Sequence, residues 1–326
     1  MSKHDSPRPM DASVIIVNWN TRDVLRECLA SVSAETAGIS CEVIVVDNGS
    51  TDGSAELVRN EFPRVTLIGN QRNRGFAAAN NQGMRLAQGR YVLLLNSDTV
   101  VLDRAIQKTV QFADDHPEAA LVGCRVLNPD SSLQPTCFMF PSLLNMVLST
   151  TYLYKLVPRS RFFGRERMTW WDRDDVREVD ALTGCFMLVR REAIEDVGLM
   201  DERFFMYGEE TDWCYRFKRA GWRNLFYPGA SIIHLGGGST RARADDMNIQ
   251  LRRSILQFMK KHRSALSYAT ARVLTSLFYA TRTPYWWVRS LRGTKESRRD
   301  AWARAQLYKR GTLSMLLAPI PSHGAQ

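Results

Sequence analysis

No Cys-x-x-Cys pair occurs in this chain of 326 residues, and its six cysteines, Cys28, Cys41, Cys124, Cys137, Cys185 and Cys214, stand scattered, most of them inside apolar runs. That spacing excludes a zinc knuckle and argues against a disulfide frame. Reduced core thiols of a cytoplasmic protein are the expectation. No uncharged apolar run reaches the roughly 18 residues that a membrane-spanning helix needs. Residues 1–10 are polar with two prolines and carry no signal-peptide pattern. No G-x-G-x-x-G follows the first apolar run, which excludes a nicotinamide-dinucleotide fingerprint. Internal repeats and low-complexity segments are absent too.

What is present is a soluble-type composition, 44% hydrophobic and 24% charged, with a net charge of +10 that is unevenly spread. From Arg241 onward 17 Lys and Arg stand against 4 Asp and Glu, whereas the first 240 residues hold 27 basic against 30 acidic groups. The basic character belongs to the tail, and it points to an anionic surface as a partner. A nucleic-acid partner would explain the tail and leave the acidic residues of the first 240 without a purpose.

Apolar runs at Ser13–Trp19, Cys41–Asp47, Val65–Ile68 and Tyr91–Asn96 alternate with amphipathic stretches at Arg22–Ser33, up to Glu61, and at Gly75–Gln88. Such β-α-β-α alternation predicts an α/β fold with a doubly wound, mostly parallel sheet and helices on both faces. Further on, Arg104–His116 reads as a helix and Ala120–Leu127 as a strand. Asn128–Arg177 is aromatic and proline-broken, an insertion of the kind that carries specificity on a rigid scaffold. Its Trp170 and Trp171 could stack on a sugar ring or simply pack. Val179–Arg190 is strand-like, with Gly184 at a bend, and Arg223–Tyr227 and Ser231–His234 are two further strands. In the tail, Asp245–Lys261 reads as a helix. Leu266–Val288 interleaves apolar and aromatic residues with Arg272 and Arg282, which suits a helix lying in a membrane interface or one that covers the preceding domain.

Two buried strands end in carboxylates, Asp47 and Asp98, and in open α/β sheets such ends gather at one ligand crevice. Asp98 is suited to holding a divalent metal against a phosphorylated ligand, since Mg²⁺ and Mn²⁺ prefer hard oxygen donors. Either residue could instead serve its own turn. Glu209, Glu210 and Asp212 open a helix. Asp212 is expected to pair with Arg216 four residues on. Glu210, about 200° around the helix from Asp212, is left for another task.

The series VIIVNWN, VIVVDNGSTDGS, NRGFAAANNQG, LLLNSDT, TGCFMLVRR, DERFFMYGEETDWCYR and IIHLGGGS, spread over residues 13–240, resembles glycosyltransferase family 2, and within it bacterial rhamnosyltransferase-like members. The resemblance implies a GT-A fold, a dTDP- or UDP-sugar donor, Mg²⁺ or Mn²⁺, an inverting single displacement and a glycan or lipid-linked acceptor. It implies donor contacts for Asn18, Asp47, Arg74, Asn96, Ser97 and Asp98, metal ligation by Asp98 and His234, a catalytic base at Glu210, and acceptor contacts for Asp180, Gly184 and Glu209. Two departures stand out. Asn96 replaces the first acid of the family's Asp-x-Asp motif, and a Glu-Glu pair replaces Glu-Asp at the base. The implied organisation is a disordered residue 1–12 segment, a catalytic domain at 13–240 and a helical extension at 241–326. Within the catalytic domain, 13–100 is the nucleotide half and 101–240 the acceptor half, with an insertion at 128–178. A catalytically silent relative and a sugar nucleotidyltransferase are the competing readings. The glycine-rich opening expected of the latter is replaced here by Asn18-Trp19-Asn20-Thr21.

Overall fold

The computed structural model describes residues 10–151, 153–157, 159–236, 244–317 and 319. Two compact units emerge: one of residues 1–140, 171–205 and 209–241, the other of 141–170, 206–208 and 242–326.

In the first unit the chain runs β1 (Ala12–Asn18), α1 (Arg22–Glu35), β2 (Cys41–Asp47), α2 (Ser54–Glu61), β3 (Thr66–Gly69), α3 (Phe76–Leu86) and β4 (Tyr91–Asn96). β3, β2, β1 and β4 are neighbours in that order and pair in parallel, as the alternation requires. Apolar residues on both faces of β1 and β4 lie in the core, which is why these runs show no polar alternation.

Beyond β4 the sheet becomes mixed, and here the structure departs from the sequence reading. After Ser97 and Asp98 the chain continues at once as β5 (Thr99–Leu102), a strand not expected, and then α4 (Ala105–Asp115), β6 (Ala119–Leu127) and β7 (Cys137–Phe138). The strand-like stretch 179–190 is split at Gly184. β8 (Arg177–Glu178) precedes it, β9 (Ala181–Leu182) pairs with β7 in a separate ribbon, and β10 (Phe186–Arg190) enters the main sheet antiparallel between β4 and β6. After α7 (Arg191–Val197) and α8 (Glu209–Arg219), the two strands expected at 223–234 form one, β11 (Arg223–His234). Its register on β6 shifts between Tyr227 and Ser231, so residues 228–230 form a bulge. Among the described residues the main sheet has nine strands, in the order β3-β2-β1-β4-β10-β6-β11-β5, with β8 also on β11.

This order shapes the site. β4 and β5 are consecutive in sequence, joined by only Ser97 and Asp98, yet three strands, β10, β6 and β11, lie between them in the sheet. The sheet must therefore curl until its last strand returns to the end of β4. Asp98 occupies that corner, and His234 pairs with Thr99 beside it.

In the second unit, α5 (Leu143–Thr151) and α6 (Leu153–Leu156) lie in the insertion, followed in the tail by α9 (Ala244–His262), α10 (Ala265–Ala280), α11 (Arg282–Arg289) and α12 (Lys295–Leu317). The single helix expected over 266–288 is thus two, with Thr281 at the joint. Pro284 falls within the first turn of α11, where a missing N–H is tolerated. Most of the glycine-rich segment after His234, from Gly237 on, and most of residues 1–12 lie outside the described residues.

Candidate active site

The parallel half ends at one edge, where registers place Asn18 beside Asp47 and Val17 beside Asn96. Buried Asn18 donates through Nδ2 to Asp47 Oδ1 at 3.1 Å and to Ser50 Oγ at 3.1 Å. Asp47 Oδ2 accepts from Ser50 N at 3.0 Å, so this carboxylate does hold its own turn while standing at the sheet edge. Thr21 Oγ1 donates to Asn18 Oδ1 at 2.6 Å and lies 3.0 Å from Ser97 Oγ. A continuous polar chain, Asp47–Asn18–Thr21–Ser97, therefore runs across three strand ends.

At the corner beyond Ser97 a second group forms. His234 Nε2 is 3.2 Å from Asp98 Oδ1 and 3.2 Å from Asn96 Nδ2. His234 Nδ1 meets Gln134 Oε1 at 2.6 Å, and Gln134 is itself oriented by Nε2 donating to Asn128 Oδ1 at 2.9 Å. An amide oxygen can only accept, so Nδ1 carries a proton. With Nδ1 so engaged, Nε2 is the ring atom that faces the Asp98 carboxylate, and the two together are the atoms a cation at that point would take as ligands. Among the described residues no three His, Cys, Asp or Glu side chains converge into a ready cage. Mg²⁺-type ions are commonly held by one or two protein ligands, with phosphate oxygens and water completing the shell. Asp98 Oδ1 and His234 Nε2, with the Asn96 amide alongside, fit that sparse arrangement.

This sheet edge is tied by backbone to the segment that leads toward α8. Gly75 has φ +86°, and a Cβ there would lie 2.3 Å from Phe205 O. Phe76 N donates to the same oxygen at 2.8 Å. Asn81 exchanges two hydrogen bonds with the Met200 backbone, at 2.9 and 3.1 Å, and donates to Glu202 Oε1 at 2.9 Å. In α8, Asp212 is fully buried and accepts from Arg216 Nε at 2.9 Å, the expected i,i+4 pair. Arg216 continues to the carbonyls of Val197 and Leu199, both at 2.7 Å, clasping the helix to the preceding turn. Glu209 is buried at the helix start, while Glu210 is partly exposed on another face.

The remaining candidates are more scattered. Asp180 is engaged by Phe140 N at 3.1 Å and Lys218 Nζ at 2.9 Å. Gly184 leaves room for the Phe76 ring, which a Cβ would meet at 3.1 Å. Arg74 is exposed, its backbone N–H held by Asn48 Oδ1 at 3.0 Å. Trp171 is buried edge-on against Phe226 at 5.0 Å, so packing is its role, and Trp170 lies under Arg161 at 4.9 Å. Burial pushes the Cys28 thiol up to about 12 and Cys185 up to about 11, which leaves neither as a thiolate nucleophile. Thr21 and Gln134 were not singled out by sequence. Thr21 has a cue in its place three residues after Asn18, whereas Gln134 sits in an insertion without pattern.

Comparison with known proteins bears on this geometry. The profile of glycosyl transferase family 2 matches residues 13–198. The chain is 29% identical over 240 residues to the N-acetylglucosaminyl-diphospho-decaprenol L-rhamnosyltransferase of Mycobacterium tuberculosis, covering 70% of this chain and 76% of that one. It is 26% identical over 234 residues to the O-antigen biosynthesis protein RfbC of Myxococcus xanthus, covering 71% of this chain and 18% of that protein. In fold it is similar to the mannosyltransferase PcManGT of Pyrobaculum calidifontis, solved with GDP-Man and Mn²⁺. The TM-score is 0.56 at 18% identity, over 94% of this chain and 86% of that one. The architecture is accordingly the GT-A fold.

Proposed function

The chain belongs to glycosyl transferase family 2 and is a glycosyltransferase, and from that premise we propose a metal-dependent, inverting transfer of a hexosyl group, rhamnose by preference, from a dTDP- or UDP-sugar to a hydroxyl of a lipid-linked glycan. The observation that carries this reading is the corner where Asp98, His234 and Asn96 meet at the end of the Asp47–Asn18–Thr21–Ser97 chain. Asp47 and Asn18 would orient the nucleoside. Asp98 and His234 would hold the divalent ion, with Asn96 beside it. When bound, that ion supplies Lewis-acid stabilisation of the departing diphosphate.

The chain's own residues do the rest. The acceptor oxygen attacks the anomeric carbon from the face opposite the diphosphate, the bond from that carbon to the phosphate oxygen breaks, and the acceptor proton passes to Glu210. No covalent intermediate is required, and the unreactive buried thiols agree with that. The carboxylate of Glu210 is a weak base, but the hydroxyl becomes acidic only as the new bond forms. A lipid-linked acceptor is supported by the relative that bears a decaprenol-diphosphate substrate in its name. Such an acceptor puts the enzyme at the cytoplasmic face of an anionic membrane.

Purified protein given Mn²⁺ or Mg²⁺, a panel of nucleotide sugars and a polyprenyl-diphosphate-linked N-acetylglucosamine tests the reading. Release of nucleoside diphosphate with a glycosylated lipid is expected from one donor. Tight donor binding with no turnover on any acceptor would instead identify a silent relative.

A further inference from the structure

The tail helices leave a line of apolar side chains in solvent. On α10, Leu266 is 78% exposed, Val273 54% and Leu277 51%. Steps of seven and four residues put all three on one face of the helix. The opposite face, with Ala271, Thr275 and Tyr279, is buried. α12 admits the Tyr279 ring at Gly311, where a Cβ would meet it at 2.4 Å. The inner face of α10 is therefore satisfied, and the outer line is surplus to the packing of this unit.

That line does not end with α10. Thr281 has φ −68° and ψ −23°, and Ser290 φ −68° and ψ −13°, both helical. The course carries on through α11, and exposed Thr281, Pro284, Val288 and Leu291 extend the outer line at helical steps. Val288 is 43% exposed and Leu291 58%, with Tyr285 at 57% and Trp287 at 50% beside them. A groove of about 650 Å³ opens here, lined by Tyr285, Val288, Arg289 and Arg292 among others. Trp286 faces the other way, under Arg304 at 4.8 Å. At this end the charge is one-sided: Arg289, Arg292, Lys295, Arg298 and Arg299 are all exposed, against Glu296 and Asp300. Among the described residues no helix is long and apolar enough to cross a membrane.

An apolar line that leads into exposed Tyr and Trp and then a cluster of cations has the chemistry of a helix lying in a lipid headgroup layer. We propose that the outer line of α10 and α11, with the basic turn after it, is the surface on which the protein rests on an anionic leaflet. Leu266, Val273, Leu277 and Val288 enter the acyl boundary, and Arg289 and Arg292 meet lipid phosphates at the groove. A second copy of the chain would bring the same cations against each other, which disfavours it as the occupant. This deepens the membrane reading above by naming the face that makes contact.

Sedimentation of the full-length protein with vesicles tests it, using phosphatidylcholine alone and phosphatidylcholine carrying phosphatidylserine. Binding to the anionic vesicles is expected to exceed binding to the neutral ones and to weaken with salt. Replacing two arginines, Arg289→Gln with Arg292→Gln, should cost about tenfold to thirtyfold on anionic vesicles at roughly one phosphate contact each, and little on neutral ones. Val273→Glu with Leu277→Glu should abolish binding to both. These positions are exposed, so thermal unfolding should be unchanged, and the single change Val288→Asp gives an independent check.

Vesicle binding retained by all three variants would overturn the assignment of this face. So would a wild-type dimer in sedimentation velocity that dissociates on Val273→Glu. Transfer to a short-chain, water-soluble acceptor keeps the two readings apart. If transfer proceeds while the wild type ignores vesicles, this proposal fails alone. If vesicle binding follows the prediction while no acceptor is glycosylated, the catalytic reading fails and this one stands.

Discussion

In the first unit β4 keeps Tyr91 through Leu95 at 2% exposure or less, and polar groups collect where the strands stop. In the second, α10 buries one face and leaves Leu266 at 78%. A parallel strand has helices on both sides, so its polar residues can stand only at its ends, and neighbouring strands bring those ends together. A helix packed on one side has a whole face to dispose of. The contrast separates two kinds of site: one forced into existence by the burial of a sheet, the other left over when a small helical unit cannot cover itself.

The sharpest way to break that contrast is to remove a single group from the sheet edge. Asp98→Ala should abolish turnover with thermal unfolding unaltered, and a chelator should silence the wild type. Full activity in excess chelator would show that the edge works without a metal. His234→Ala should reduce metal dependence less severely, since a carboxylate remains.

Glu210→Gln is expected to lower kcat by about 10²–10⁴, the range for loss of an acid–base group, with donor affinity nearly unchanged. Asp212→Asn should instead lower the melting temperature, because it weakens a buried pair with Arg216. Near-normal turnover in Glu210→Gln, alongside an inactive but folded Glu209→Gln, would move the base by one residue.

A smaller effect is expected from Gln134→Leu. Gln134 positions His234 and is not itself aimed at the ion. Its loss should weaken metal affinity by about 10–100-fold, as such outer partners do, with saturating metal restoring kcat. Calorimetric titration of Mn²⁺ in the presence of nucleoside diphosphate reads this directly. Unchanged affinity would mean that the ring is held by other contacts.

The smallest effect concerns acid. Glu202 is held below its ordinary 4.5 by the Asn81 hydrogen bond first, with burial opposing and Arg85 assisting. A depressed carboxyl stabilises the folded state fully above its ordinary value and loses that contribution as pH falls through the lowered one. The melting temperature of Glu202→Gln should therefore converge on that of the wild type below about pH 4. A gap that keeps its size well below that point would show that charge is not what Glu202 contributes.

Much of the sheet edge was legible because its signals are local. The apolar runs of β1, β2 and β4, and the polar residues that stop them, each lie within a few positions of one another. Strand order is not local. Nothing in FMLVR says that β10 enters antiparallel between β4 and β6, and TVVL after Asp98 resembles the end of a turn more than the start of a distant edge strand. Gln134 and His234 are 100 residues apart and meet only because the sheet curls. The split of 266–288 into α10 and α11 came from Pro284 within a stretch whose apolar pattern barely changes. Exposure of that pattern was invisible, since periodicity gives the two faces of a helix but not which of them finds a partner.

The bulge at residues 228–230 has a consequence for sequence length. Along β11, Ile232 and His234 share one face and Ser231 and Ile233 the other. From Tyr227 to Ser231 β11 takes four steps while β6 takes one, from Cys124 to Arg125, so the bulge absorbs the mismatch and lets the strand on either side keep its own facing. Length changes in exposed turns of this chain are matters of reach alone. In this stretch they are matters of slack: a bulge one residue shorter still spans that single step of β6, so homologous enzymes that keep the histidine are free to vary in length here without turning it from Asp98.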